Sequence, residues 1–244
     1  MRHNLPLLSF VLLAALSASG QRVVDISSGD VDVVTQQRPI GLAGGSIFPE
    51  YKYIKVKEGS PYYRDEWCKG ILVTENGTAF HGLELKLDLL NHEVHYKDSA
   101  DREMVLTTPM RKIIIWPGLD ARTFIPGKPW ASTDKSLEKA WLQVLVNDSV
   151  SLLLDIRKKL VEITPYASST AEQTINDEEA YWLQKGGSLV RIKHWDDLPY
   201  LLGDKKGQVA KFIKENDLTG DAPIEYADVV AFYNTLLTPA AGKK

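Results

Sequence analysis

Residues 71–97, ILVTENGTAFHGLELKLDLLNHEVHYK, decide the fold. ILVT (71–74) and TAF (78–80) flank Asn76-Gly77, a hairpin dipeptide because both residues tolerate the positive φ of a type I′ turn. GLELKLDL (82–89) then places Leu83, Leu85, Leu87 and Leu89 on one face and Glu84, Lys86 and Asp88 on the other. That alternation predicts a half-buried strand. Residues 90–92 reverse the chain into EVHYK (93–97), where Val94 and Tyr96 point one way and Glu93, His95 and Lys97 the other, toward solvent.

The same rhythm continues downstream. EMVLT (103–107) is followed by RKIIIW (111–116) after the breaker Pro109. LQVLV (142–146) and VSLLLDI (150–156) flank Asn147-Asp148, and AYWLQ (180–184) and SLVRIK (188–193) flank Gly186-Gly187. PYASSTAEQT (165–174) reads as a mobile loop. The period then changes: Leu198, Leu201 and Leu202, then Val209, Phe212 and Ile213, then Tyr226, Val229, Val230, Tyr233 and Leu237 repeat at helical spacing, the last helix capped by Asp221 with Pro223 in its first turn. The expected fold is α+β and mainly β: an antiparallel meander of consecutive hairpins, a curved sheet or partly closed barrel, with a small C-terminal helical cap packed on it.

Upstream, Arg2 and His3 precede an apolar run over residues 5–16, and Ala18-Ser19-Gly20 offers small residues for cleavage. This predicts a signal peptide over 1–20, export to the periplasm or beyond, and a soluble mature chain with no transmembrane segment. A flexible leader over 21–45, a β-meander over 46–195, a helical cap over 196–238 and a disordered tail over 239–244 complete the expected organisation. Without its leader peptide the chain has 28 Lys and Arg against 32 Asp and Glu, a net charge near −4, which argues against a nucleic-acid partner. The single cysteine, Cys68, excludes an intramolecular disulfide, so a packed core must supply the stability.

Candidate chemistry is tested by spacing. A zincin needs HExxH on a helix, whereas His92 and His95 are one residue closer and lie in a turn and strand, which points the imidazoles apart. Cys68 and His81 could form a nucleophile–base dyad, but a two-residue hairpin at Asn76-Gly77 pairs residue 72 with His81 and Cys68 with Leu85. Cys68 and His81 are then roughly 13 Å apart along the ladder. GSIF (45–48), GSPY (59–62) and GSLV (187–190) lack the GxSxG elbow; the first is placed in a loop and the last in a turn. ENDLTGDAPIEYAD (215–228) resembles an EF-hand loop, but the position of the bidentate Glu is held by Tyr226. The sequons at Asn76 and Asn147 fall where hairpin turns belong. Trp67, Trp116, Trp130, Trp141, Trp182 and Trp195 fit core packing or a ligand platform. No catalytic, cofactor-binding or metal-binding residue is assigned from these patterns.

GSPYYRDEWCKGILVTENGTAFHGLELKLDLLNHEVHYKD, EMVLTTPMRKIIIW, the hairpin ending LVRIK, and KKGQVAKFIKENDL with IEYADVVAFYNTLL together resemble a family of uncharacterised exported proteins of Bacteroidota. The resemblance spans most of residues 59–237 and departs at Leu87, where an aromatic residue is common. It implies a bacterial envelope location and carries over no site residue. Two functional expectations follow. The first is a non-enzymatic binding or structural module whose partner is an envelope protein, glycan or lipid. The second is a hydrolase with a site assembled from distant residues, which requires convergence of several of Asp88, Glu93, His95, Asp98 and Asp101 in a deep pocket.

Overall fold

The computed structural model describes residues 45–47, 56–163 and 172–237. The expected signal peptide, all of the leader except Gly45, and the tail lie outside the described residues. The chain is mainly β, with one large, mostly antiparallel sheet that stays open and a small helical segment at its C-terminal end. No described helix is long and apolar enough to cross a membrane.

The strands are β1 Gly45–Ile47, β2 Val56–Glu58, β3 Cys68–Thr74, β4 Ala79–Asp88, β5 Glu93–Lys97, β6 Glu103–Leu106, β7 Met110–Trp116, β8 Arg122–Pro126, β9 Trp141–Val146, β10 Val150–Ile163, β11 Glu172–Lys185 and β12 Ser188–Ile192. Their order is β1-β6-β5-β4-β3-β7-β8-β9-β10-β11-β12, with β2 pairing in parallel with β11. The sheet is thus two meanders joined at the β3–β7 pair. In a simple meander RKIIIW would pair with its chain neighbour β6; instead it lies beside β3, with Ile113 opposite Leu72. Ile113 and Ile115 need a core face, which the interior position beside β3 supplies and the half-buried strand β6 does not.

That pairing dictates curvature. In a flat sheet β6 and β7 would lie four strand spacings apart, about 19 Å. The link from Leu106 to Met110 spans at most about 14 Å when extended. The sheet therefore curls, and β3 to β8 wrap around a core of Leu72, Leu85, Leu87, Val94, Tyr96, Ile113, Ile115 and Phe124. Each large side chain buried there contributes about 1.5–3 kcal/mol relative to exposure.

The cross-strand register defines two faces. Leu72, Ile113, Phe124, Gln143, Leu154, Tyr181 and Ile192 form a row along the inner face; Ile71, Ile114, Thr123, Val144, Leu153, Trp182 and Arg191 form the row behind it. At the β9–β12 end the inner face is covered by α1 Leu198–Leu201, α2 Lys206–Glu215 and α3 Pro223–Leu237, whose Val209, Tyr226, Val229, Val230 and Tyr233 pack on Leu152, Leu183 and Ile192. On the outer face there, Leu137 and Ala140 of the β8–β9 connection cover Leu142, Leu153, Trp182 and Leu189.

Several local expectations need correction. Thr74 N–H donates to Thr78 O and Gly77 N–H to Thr74 O, so the first hairpin has a three-residue loop over 75–77, in which only Gly77 takes a positive φ, +91°. Leu72 therefore faces Phe80 rather than His81. A bulge at His81 and Gly82 (φ +70°) absorbs the extra residue and restores the expected Cys68–Leu85 pair. The Gly186-Gly187 hairpin, by contrast, forms as expected, a two-residue reversal between Lys185 and Ser188 with both glycines at positive φ. Gly45, Ser46 and Ile47 of GSIF form strand β1 rather than a loop, and Phe48 lies outside the described residues. Residues 172–174 of the expected mobile loop open β11, and the rest of that stretch lies outside the described residues. Asp221 is not the cap of α3: Ala222 precedes its first residue, and Glu225 reaches back to accept the N–H groups of Thr219, Gly220 and Asp221.

Candidate functional site

The turn between β4 and β5 brings a polar cluster together on the outer face. Asp88 and Glu93 are direct cross-strand partners, as are Lys86 and His95, so Lys86, Asp88, Glu93 and His95 project the same way. Glu103 on β6 joins them: its Oε1 lies 2.6 Å from His95 Nδ1. His95 Nε2 faces Glu93 Oε2 at 3.5 Å. Asp88 is held by Asn91, whose backbone N–H donates to Oδ1 (2.8 Å) and whose side-chain amide donates to Oδ2 (2.9 Å).

Alternation places His95 on the outer face, yet its exposure is 0%, as is that of Asp88. The expectation of a solvated His95 is therefore wrong. The cause is the segment over 60–67, which returns along the end of β4. Tyr63 N–H donates to Leu87 O, Leu89 N–H donates to Pro61 O, and Tyr62 bridges to Asp88. Tyr63 then points into the core against Phe124, while Tyr62 falls on the outer face. Its ring meets His95 edge-on at 5.7 Å and carries Lys86 Nζ 4.4 Å from its centroid. Trp67 extends this cover, with Lys86 and Lys97 at 5.4 and 5.3 Å from its ring. Burial, reinforced by Glu103 and Asp88, pushes the Tyr62 phenol well above its ordinary pKa.

The hydrolase expectation requires several of five residues to converge in a deep pocket, and of these Asp88, Glu93 and His95 meet. Asp98 and Asp101 do not. Asp98 ties the β5–β6 turn through Ala100 N–H and Arg102, and Asp101 pairs with Lys97 at 3.0 Å. One donor atom each from Asp88, Glu93 and His95 all lie within 4.8 Å of one another. His92 is not part of that group: it sits in the turn at φ +61°, half-buried. Burial lowers its pKa, partly offset by Asp155 on β10 and by Asp88. Asp155 acts on His92 although β3, β7, β8 and β9 lie between β4 and β10, a consequence of the curl. Asp155 is itself buried beside Arg157, whose Nε donates to it at 2.5 Å; desolvation raises its pKa against that pairing.

The remaining candidates resolve as structural parts. Cys68 is buried opposite Leu85 and His81 is exposed in the bulge, so they form no dyad. The single carboxylate oxygen of Glu225 gathers three N–H groups and orders residues 216–222 as the link between α2 and α3, while residues 223–228 are the first turns of α3. The tryptophans do not share one face. Trp182 lies in the outer core, Trp141 packs on the inner core, and Trp195 packs edge-on against Tyr226 under the helices.

A second feature lies on the inner face at the other end of the sheet. A cleft of about 220 Å³ opens between β10–β12 and α1. Val150, Leu183 and Leu202 form its buried floor, Leu201 its half-buried wall, and Lys185, Ser188 and Val190 its exposed rim. β12 is the last strand in the sheet order, so the cleft opens at a sheet edge. Leu201 and Leu202 are named by the helical period, and Val150, Leu183 and Val190 lie in the expected hairpin strands, but only the docking of α1 makes them concave. No protein-family model, curated protein or solved structure matches this chain.

Proposed function

We propose that this chain is an exported, non-enzymatic binding module of the bacterial envelope, which seats an apolar group of its partner in the cleft between β10–β12 and α1. The signal-peptide pattern over 1–20 and the resemblance to exported proteins of Bacteroidota support the location. The observation that carries the binding reading is the chemistry of that cleft: an apolar floor, an apolar wall and a lysine on the rim. A volume of about 220 Å³ is below the roughly 300–1,000 Å³ of sites that enclose a whole small molecule. It suits one end of a longer ligand, and an acyl chain whose anionic head meets Lys185 matches both the floor and the rim.

The hydrolase reading has one observation in its favour, the meeting of Asp88, Glu93 and His95. Against it, Asp88 and His95 have no exposed surface, and the cleft contains neither. A general base must come within hydrogen-bond reach of its substrate. The test is to purify the protein from its native envelope and identify bound molecules by mass spectrometry, beside the Val190→Arg variant. Val190 is 45% exposed on the rim, so arginine there blocks the mouth without entering the core. An apolar or amphiphilic molecule retained by the wild type and lost from V190R is expected; equal retention by both refutes the cleft as the binding site.

A further inference from the structure

We propose that Asp88, Glu93 and His95 form a binding site for one first-row divalent cation, with Zn²⁺ as its representative. The site lies on the face of the sheet opposite the apolar cleft, and the inference stands independently of the function proposed for that cleft. Three features carry it. The first is the donor set: one imidazole and two carboxylates, the combination that zinc and its neighbours accept and that purely oxygen-seeking cations do not require.

The second is spacing. Zinc holds nitrogen and oxygen ligands at about 2.0–2.2 Å, which puts neighbouring donors of a tetrahedral site about 3.4 Å apart. His95 Nε2 and Glu93 Oε2 are 3.5 Å apart, and all three donors fall within 4.8 Å. Small rotations of the Glu93 side chain, which has 32% of its surface exposed, close the remaining difference. The three ligands sit on two hydrogen-bonded strands: Glu93 and His95 two residues apart on one face of β5, and Asp88 directly opposite Glu93 on β4. That backbone is fixed by the ladder, which leaves little to reorganise on binding.

The third is the outer support. Glu103, which is outside the donor set, approaches His95 Nδ1 at 2.6 Å. As the acceptor of a proton carried on Nδ1, Glu103 would direct Nε2 toward Asp88 and Glu93, the carboxylate–histidine–metal arrangement. Asn91 likewise holds Asp88 in place, its backbone N–H donating to Oδ1 and its side-chain amide to Oδ2. Glu103 is a positioning residue for His95. The ion would clamp the β4–β5 end of the sheet beneath Tyr62, so its effect is on stability.

The test uses the full mature chain and Zn²⁺ itself. Elemental analysis after desalting from a zinc-containing buffer should give one zinc per chain, and calorimetric titration should give the same stoichiometry. With free zinc about 100-fold above Kd, the thermal midpoint should rise by about 5–10 °C and fall back with chelator. Glu93→Gln preserves size at a partly exposed position and should abolish binding while circular dichroism stays unchanged. Glu103→Gln should keep the stoichiometry and weaken affinity by about 10–100-fold. Val190→Arg should leave zinc binding untouched, which separates this site from the cleft. The proposal is overturned if no zinc is retained, or if the Glu93→Gln protein binds zinc as tightly as the wild type.

Discussion

Asn234 ties the helices to the sheet. It lies on α3, is 3% exposed, and makes a two-way contact with the β10 backbone: Val150 N–H donates to its Oδ1 (2.9 Å) and its Nδ2 donates to Val150 O (2.8 Å). The β9 ladder meets β10 only from Leu152 onward, so the carboxamide takes the place of a strand neighbour at Val150. Replacing Asn234 by alanine removes both bonds and leaves a backbone donor and acceptor of a residue that is 1% exposed. Each such stranded group costs about 1–3 kcal/mol, and partial relaxation brings the expected total to about 2–4 kcal/mol. That is a large share of the roughly 5–15 kcal/mol of a typical domain. With a urea slope near 2 kcal/mol/M, the unfolding midpoint should fall by about 1–2 M, read by circular dichroism. Thr235→Ala, at the exposed neighbouring position, should shift it by less than about 0.5 kcal/mol. An Asn234→Ala midpoint within about 0.2 M of the wild type would refute the reasoning.

Two further perturbations probe other parts of the fold. Gly220 has φ +83°, and a Cβ there would lie 2.5 Å from Trp195 Cδ2. Gly220→Ala should cost about 1–3 kcal/mol by combining an unfavourable backbone conformation with displacement of Trp195, and the loss should appear in thermal unfolding. His92 has its pKa lowered by burial, so the unfolded chain takes up the proton first. Its contribution to stability is fully present above the unfolded value near 6.5 and is lost as pH falls through the depressed folded value. His92→Asn, which tolerates the positive φ, should therefore narrow the stability difference between pH 8 and pH 5; an unchanged difference would remove His92 as its source.

The local grammar of the chain was legible in its residues, and the long-range placement was not. The alternation in residues 82–89, the glycine pair at 186 and 187 and the helical period after Leu198 each encode structure within a few residues, and each element forms as the pattern dictates. The pairing of β7 with β3 depends on which partner buries Ile113 and Ile115 best, a choice that no local pattern records. His95 shows the same limit. Its face followed from the period of two, but its burial depends on Tyr62, thirty-three positions earlier, crossing over it. Tyr62 and Tyr63 in GSPYYRDEW were the available signal, since adjacent aromatics on an extended segment must point to opposite faces. The strand Arg122–Pro126 went unread because Arg122 and Pro126 bracket only three residues of strand character.

Binding rather than catalysis is the central claim, and the fate of the ligand tests it most directly. The molecule recovered from the native protein should be returned to fresh protein in excess, incubated, and weighed again by mass spectrometry. An unchanged mass after prolonged incubation, with the molecule again bound and displaced by Val190→Arg, is the predicted result. Conversion to a new mass that depends on the protein, and that stops when Asp88 or Glu93 is replaced by its amide, would contradict the account.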